Sequence, residues 1–164
     1  MWLDNESFRQ VVQNTPLVAI DLVVQNEAGE LLLGQRLNRP ARGAWFVPGG
    51  RIQKNETLDV AFGRLTLGEL GRKYKRSEST LLGVYEHFYA DSVFGEGPDA
   101  PSTHYVVVAH LLRWPAPSAH DSVASLPSTQ HTGFSWWSLD DAVTSDAVHP
   151  NTKAYISALK KDSE

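Results

Sequence analysis

The chain has 164 residues, of which 41% are hydrophobic and 21% charged, a formal net charge of −4 and no cysteine. The length predicts a single domain over residues 1–164, and the composition excludes disordered, collagen-like and coiled-coil proteins. A weakly acidic chain lacks the basic field that binding to nucleic acid or a membrane surface needs, so neither partner is expected. Without cysteine, disulfides, thiolate metal sites and cysteine nucleophiles are excluded. The N-terminus does not resemble a signal peptide and no apolar stretch could span a bilayer, which predicts a cytoplasmic protein.

The first third of the chain has the pattern of short strands. Residues 17–24 are rich in β-branched side chains and predict a buried strand. A turn leads to a returning strand over 31–36, so the pair predicts a hairpin. Residues 45–47 predict a further short strand that runs into a Pro-Gly-Gly sequence.

The pattern becomes helical from about residue 55 to residue 70. Glu56 and Asp59 fall in the predicted first turn, where the helix dipole favours acids, and Gly71 lies where a left-handed cap is expected. The remaining predicted elements are strands over 81–89 and 104–114 with a loop over 90–102 between them, a surface loop over 115–129, a strand over 134–137, a short helix from 138 and an amphipathic helix over 151–161. This mixture predicts a compact α/β (α+β) sandwich.

One segment carries a strong chemical signal. Gly50 is followed after five residues by Glu56, after seven more by Arg64, and then by Glu69 and Gly71. This spacing resembles the Nudix box, and a chance match at these positions has a probability on the order of one in ten thousand. Such a loop and helix bring backbone groups close to a diphosphate, while carboxylates hold Mg²⁺ and arginines neutralise the phosphate charge.

The segment departs from the Nudix box at two positions. Leu65 and Gly68 stand where the box has glutamate, so Glu69 is the one carboxylate left in the cluster. A single carboxylate predicts one metal ion rather than an array. Either the chain has no catalytic activity or it cleaves a bond other than the usual P–O bond.

A branch of the Nudix superfamily, the GDP-mannose mannosyl hydrolases, has the same substitutions. The resemblance extends over nearly the whole chain and is carried by residues 15–18, 33–36, 38–41, 45–51, 64–66, 87–89, 103–107 and 130–131. It implies the Nudix fold, a mixed β-sheet between helices. It also implies hydrolysis of GDP-mannose, and of GDP-glucose, to GDP and the free sugar, through water attack at the anomeric carbon with inversion.

The resemblance further implies a role for each matching residue. It implies one Mg²⁺ per subunit, with Mn²⁺ as a substitute, held by the Gly49 carbonyl, Glu69 and Gln130. It implies His131 as the general base, with Asp21 and Arg36 completing the catalytic group. The substrate-binding residues that it implies are Asp21, Arg36, Arg51, His87, Tyr89 and Tyr105.

This assignment agrees with the chemistry of expelling GDP from a sugar. The metal and arginines stabilise the charge of the leaving group, and one base on the opposite face suffices for inversion. The residues alone leave other roles open. Asp21 could form a structural ion pair with an arginine, His131 could be a surface histidine, and Glu56 could be a metal ligand or a capping group.

Two other functions compete with the glycosyl hydrolase. One is a pyrophosphohydrolase that cleaves a P–O bond in a nucleoside-diphosphate derivative. The other is a catalytically silent nucleotide-binding module, which Leu65 and Gly68 make plausible. The expected partner is in each case a small nucleotide-derived molecule, and Trp2 and Phe8 near the N-terminus predict a homodimer interface.

Overall fold

A computed structural model of the protein describes residues 3–115, 123–127 and 131–161. Within these ranges the helices are α1 (Asn5–Asn14), α2 (Leu58–Leu70), α3 (Leu139–Thr144) and α4 (Pro150–Lys161). The strands are β1 (Leu17–Gln25), β2 (Leu31–Arg36), β3 (Trp45–Phe46), β4 (Gly49–Arg51), β5 (Ser79–Tyr89), β6 (Thr103–Arg113) and β7 (His131–Trp137). Short 3₁₀ turns lie at Arg76–Glu78 and Val123–Ser125.

The strands form one mixed sheet in the order β3-β2-β1-β6-β5, with β4 paired to β1 and β7 paired to β2. β1 and β6 are parallel, whereas the other pairs are antiparallel. The predicted hairpin is correct only at its turn, because β1 and β2 share the single register pair Gln25 and Leu31. Further along, β4 takes the place beside β1, and Gly49 pairs with Asp21.

Each face of the sheet is covered by a different helix, which confirms the predicted Nudix fold with a mixed sheet between helices. On one face, Ile20 and Leu22 of β1 pack in a core with α2. On the other face, Val23 packs in a core with Tyr155 and its neighbours on α4. The alternation of a strand therefore sends successive β1 side chains to two separate cores.

Helix α2 begins later than its sequence pattern predicts. The Thr57 side chain accepts a hydrogen bond from the Val60 backbone N–H and caps the helix, so Glu56 precedes the first turn. The placement of Glu56 inside that turn is wrong, because the cap decides where the helix starts. Gly71 adopts the predicted left-handed conformation, with a φ of 72°.

Helix α1 was not among the predicted elements. It is capped by Asp4, whose carboxylate accepts from the Ser7 N–H, and it packs against the loop between β5 and β6. The ring centroids of Phe8 and Phe94 are 5.6 Å apart, so Phe8 is engaged within its own chain. Trp2 lies outside the described residues. No helix within those residues has the length and apolar character that crossing a membrane requires.

Candidate functional site

The residues singled out from the sequence separate into two clusters on opposite faces of the sheet. The first is formed by Glu69 on α2 and His131 at the start of β7. Their side chains are 6% and 2% exposed, and His131 Nε2 lies 3.5 Å from Glu69 Oε2. Strand β7 begins at His131, three residues earlier than the sequence predicts. His131 is buried there, so the alternative of a surface histidine is wrong.

Room for the imidazole is made by Gly34 on the neighbouring strand β2. A Cβ added at Gly34 would lie 2.5 Å from His131 Nδ1 and 2.9 Å from the Phe134 ring, closer than packing allows. His131 Nδ1 is buried and has no hydrogen-bond partner among the described residues. The residue before it, the proposed metal ligand Gln130, lies outside that part of the chain.

The second cluster connects Asp21, Tyr155 and His87. Tyr155 Oη donates to Asp21 Oδ2 at 2.6 Å and lies 3.2 Å from His87 Nε2. Because the hydroxyl has one proton and gives it to Asp21, His87 must donate from Nε2. The hydrogen bonds therefore run in one direction, from His87 through Tyr155 to Asp21. The partner of Asp21 is a hydroxyl, so a structural ion pair with an arginine is not formed.

Burial sets the protonation states in this second cluster. It raises the pKa of Asp21 to about 7, against the opposing effects of the Tyr155 hydrogen bond and the Arg36 charge. Burial and the charge of His149 lower the pKa of His87 to about 4, so this imidazole is neutral at neutral pH. A neutral His87 agrees with the donor role that the hydrogen-bond chain assigns to its Nε2.

Sequence reasoning missed the two residues of α4 that hold this cluster. Asn151 Nδ2 donates to Tyr89 Oη at 3.1 Å, and Tyr155 lies one turn further along the same face. Burial raises the pKa of Tyr89 to about 12, so Tyr89 stays a neutral phenol. A signal was present, since polar groups four residues apart on the buried stripe of an amphipathic helix point to an internal hydrogen-bond network.

The short strand β4 lies between the two clusters. Its Gly49 approaches β1 so closely that an added Cβ would lie 2.8 Å from Asp21 Oδ1. An added Cβ on Gly50 would instead lie 2.7 Å from the Leu65 side chain of α2. The two glycines therefore let the backbone of β4 contact Asp21 on one face and helix α2 on the other.

A basic cleft opens at the end of the sheet, between α1 and the starts of β1 and β6. It encloses about 160 Å³, and its lining includes Arg36, Arg39, Arg51 and Tyr105. Arg36 Nε donates to the Pro40 carbonyl at 3.0 Å, which fixes its guanidinium. Burial raises the pKa of Tyr105, so this phenol stays neutral and adds no negative charge to the cleft. Burial lowers the pKa of Arg51, which an anionic ligand beside its guanidinium would offset. Such a cleft suits a diphosphate.

Glu56 and Arg64, two matched positions of the box, organise the loop rather than the reacting centre. Arg64 donates to both oxygens of Glu56 at 2.6 and 2.8 Å, and to the Arg51 carbonyl at 2.9 Å. Glu56 also accepts from the Gln53 N–H at 2.8 Å. Because both carboxylate oxygens are occupied, Glu56 is a capping group of this loop, and its alternative role as a metal ligand is not supported.

Glu56→Gln should destabilise the fold in a pH-dependent way. The hydrogen bond from Arg64 is the main cause that lowers the pKa of Glu56 from 4.5 to about 2. The stabilisation is therefore fully present above the unfolded pKa and is lost as the pH falls towards 2. We expect the variant to lose on the order of 1 kcal/mol of unfolding free energy at neutral pH, since the pair is partly screened. Urea unfolding across this pH range should show the two proteins converging in acid, and a constant difference would contradict the assignment.

Tyr155→Phe should weaken both the fold and the activity. It leaves a buried oxygen of Asp21 without its donor, which should cost about 1–3 kcal/mol of unfolding free energy. We expect kcat to fall about tenfold with KM little changed, because Asp21 loses its orientation. The matched control is Tyr85→Phe, since the Tyr85 ring meets Tyr155 edge-on at 4.8 Å. Equal kinetic losses in both variants would refute a specific role for Tyr155.

The predicted metal ligands that lie among the described residues suit a hard cation. The candidates are the Glu69 carboxylate and the Gly49 carbonyl, both oxygen ligands of the kind that Mg²⁺ prefers. Among the described residues, no group of three or more His, Asp or Glu side chains is placed to hold a metal ion. The site therefore fits a metal that binds one protein carboxylate and takes its other ligands from backbone, amide, substrate or water.

Comparison with known proteins gives the family. A family model described as the NUDIX domain matches residues 15–159. The low-salt glycan biosynthesis protein Agl8 of Haloferax volcanii is 46% identical over 157 residues, which cover 96% of this chain and 90% of that protein. The ADP-ribose pyrophosphatase of Methanocaldococcus jannaschii is 31% identical over 98 residues, 59% of this chain and 50% of that protein. The MutT NUDIX hydrolase of Burkholderia pseudomallei superposes with a TM-score of 0.66 at 25% identity, over 89% of this chain and 99% of that one. The chain belongs to the NUDIX domain family.

Proposed function

We propose that the protein hydrolyses GDP-mannose, and GDP-glucose, to GDP and the free sugar by water attack at the anomeric carbon with inversion. The observation that carries this proposal is the single carboxylate beside a buried histidine. Leu65 packs on Gly50, and Glu69 faces His131 at 3.5 Å. A Cβ added at Gly68 would have no neighbour within 4 Å among the described residues outside its own helix. A one-carboxylate site with a neighbouring imidazole suits C–O cleavage by one base better than water activation between several metal ions.

Membership of the family supports an enzyme that uses a divalent metal ion such as Mg²⁺. Glu69, the Gly49 carbonyl and Gln130 would hold it. When bound, such an ion neutralises diphosphate charge and so improves GDP as a leaving group.

The protein side chains then have separate tasks. His131 accepts a proton from the attacking water while the C–O bond to GDP breaks and its electron pair leaves on the diphosphate oxygen. Arg36, Arg51 and Tyr105 line the cleft and bind the diphosphate. Tyr155 and His87 orient Asp21 on the α4 face of the sheet. From that side, opposite His131, Asp21 would contact the sugar and orient the reacting groups. An imidazole is the side chain that enzymes use most often as a general base.

The relatives support a nucleotide-linked substrate without deciding its identity. The name of Agl8, a glycan biosynthesis protein, favours a substrate that carries a sugar. The second candidate is a pyrophosphohydrolase that cleaves a P–O bond, which the similarity to an ADP-ribose pyrophosphatase favours. The basic cleft would bind the diphosphate of either substrate.

An end-product assay over a panel of nucleotide sugars tests the proposal. The panel contains GDP-mannose, GDP-glucose, GDP-fucose and ADP-ribose, each with Mg²⁺, and free sugar and nucleoside diphosphate are measured separately. We expect equal amounts of GDP and free sugar from GDP-mannose, with the β-anomer formed first. Release of GMP and sugar phosphate would establish the pyrophosphohydrolase instead. Binding of GDP without turnover of any panel member would establish the silent binding module.

A further inference from the structure

We propose that a second pocket, separate from the basic cleft, binds a small phosphorylated molecule. This rear pocket encloses about 570 Å³ and is lined chiefly by Lys73, Lys75, Arg76, Ser77, Ser79 and His110. None of its lining residues lines the basic cleft, which encloses about 160 Å³. Its volume lies within the range of about 300–1,000 Å³ that is typical of sites for small molecules.

The chain reversal after α2 builds the basic side of this pocket. The Tyr74 N–H donates to Thr66 Oγ1 at 3.0 Å, and the buried Tyr74 ring packs against Trp114. Lys73 lies against α2 at Gly63, where an added Cβ would be 2.8 Å from its Cε. Because Tyr74 is anchored in the core, the backbone of the exposed residues next to it, Lys73 and Lys75, is held in place at the pocket.

The charge of the pocket is positive although the whole chain has a net charge of −4. Its one lining carboxylate, Asp59, pairs with Arg76 at 2.6 Å. Within the described residues neither Lys73 nor Lys75 has a carboxylate within salt-bridge distance. Two ammonium groups are thus left facing a concave surface, where an anion would find charge-assisted hydrogen bonds.

A buried histidine adds a second, different recognition group. Ser79 Oγ donates to the Arg76 carbonyl at 2.7 Å, so it accepts from His110 Nδ1 at 3.0 Å. His110 Nε2 is then left with a lone pair, and it has no hydrogen-bond partner among the described residues. Burial lowers the pKa of His110, which keeps the ring neutral, and the residue is 2% exposed. Because His110 Nε2 is a buried acceptor without a hydrogen-bond donor among the described residues, it favours a ligand that has an O–H or N–H group.

These groups define the chemistry of the ligand. The lysines require an anion, and His110 requires a hydroxyl or amino group near it. Leu81, which is 57% exposed at the pocket wall, offers apolar surface to a carbon skeleton. A phosphate ester of a small polyhydroxy compound combines all three features.

Amide chemical shifts of the full chain test the site, with ribose 5-phosphate and inorganic pyrophosphate as probes. We expect shifts at Lys73, Ser77 and Leu81. In Lys73→Ala/Lys75→Ala the affinity for both probes should fall about tenfold or more, since two charged contacts are lost. The control Lys160→Ala/Lys161→Ala removes the same charge from α4 and should bind as the wild type does. Both lysine pairs are exposed, so the fold is retained.

His110→Phe removes the proposed hydrogen bond between a ligand hydroxyl and His110 Nε2 but leaves the charges of Lys73 and Lys75 in place. It should weaken the binding of ribose 5-phosphate about tenfold and leave the binding of pyrophosphate, which has no alcohol hydroxyl groups, nearly unchanged. Unaltered affinity in the Lys73 and Lys75 variant, or shifts confined to Arg51 and Tyr105, would overturn the proposal. A single-stranded oligonucleotide that bound more tightly than ribose 5-phosphate through the same lysines would also overturn it, in favour of a nucleic-acid surface.

Discussion

Glu69→Gln is expected to lower kcat for GDP-mannose by about 10²–10³-fold and to weaken the apparent affinity for Mg²⁺. Glu69 is the remaining carboxylate of the Nudix-type cluster, and its side chain is 6% exposed beside His131. The amide keeps the shape but loses the negative charge that a divalent ion requires. Titration of activity with Mg²⁺ measures both quantities.

A carboxylate elsewhere provides the matched control for this variant. Asp140→Asn neutralises an acid on α3 whose side chain is 89% exposed, and it should leave the Mg²⁺ dependence unchanged. A Glu69→Gln enzyme with the wild-type Mg²⁺ dependence would contradict the one-carboxylate site. Excess Mg²⁺ should restore only part of the activity, because the orientation of the substrate phosphate also changes.

His131→Gln is expected to lower kcat by about 10²–10⁴-fold, the usual contribution of a general base. The affinity for GDP should stay within about twofold of the wild type, because His131 does not line the basic cleft and binding is not its task. Glutamine fills similar space beside Gly34 and Phe134 but accepts no proton near neutral pH. Single-turnover kinetics and GDP binding, measured on the same preparation, separate the two effects.

His104→Gln is the corresponding control. The His104 ring stacks on the exposed Phe88 of the neighbouring strand β5, with ring centroids 4.3 Å apart. This variant should keep wild-type kcat. A His131→Gln enzyme with unaltered kcat would exclude the imidazole as the base, and loss of GDP affinity together with kcat would assign it to binding.

The strongest sequence patterns predicted the fold well, and local competition explains the differences. The β-branched run in β1 fits a buried strand, and Gly71 ends α2 because glycine readily adopts the left-handed conformation. The start of α2 depended on whether Thr57 or an earlier residue caps the helix, and the Thr57 side chain does so. Strand β1 pairs with β4 over part of the length where the sequence predicts pairing with β2. This is possible because Gly49 and Gly50 let the β4 backbone lie close to Asp21 and to α2.

The candidate site could be predicted in part. Asp21 was conspicuous because an acid inside an apolar strand needs a partner, but the sequence could not show that this partner is Tyr155, 134 residues away. Helix α4 reads as an ordinary amphipathic helix, and only the packed structure brings Asn151 and Tyr155 to the site. The burial of His131 likewise depends on Gly34, which belongs to a strand that is distant in the chain.

The most direct test of the account is hydrolysis of GDP-mannose in ¹⁸O-labelled water, with both products analysed by mass spectrometry. Attack at the anomeric carbon with His131 as base predicts that the label appears in the free mannose and that GDP carries none. Label in a phosphate oxygen of the nucleotide would contradict C–O cleavage and would assign this one-carboxylate site to the hydrolysis of a P–O bond.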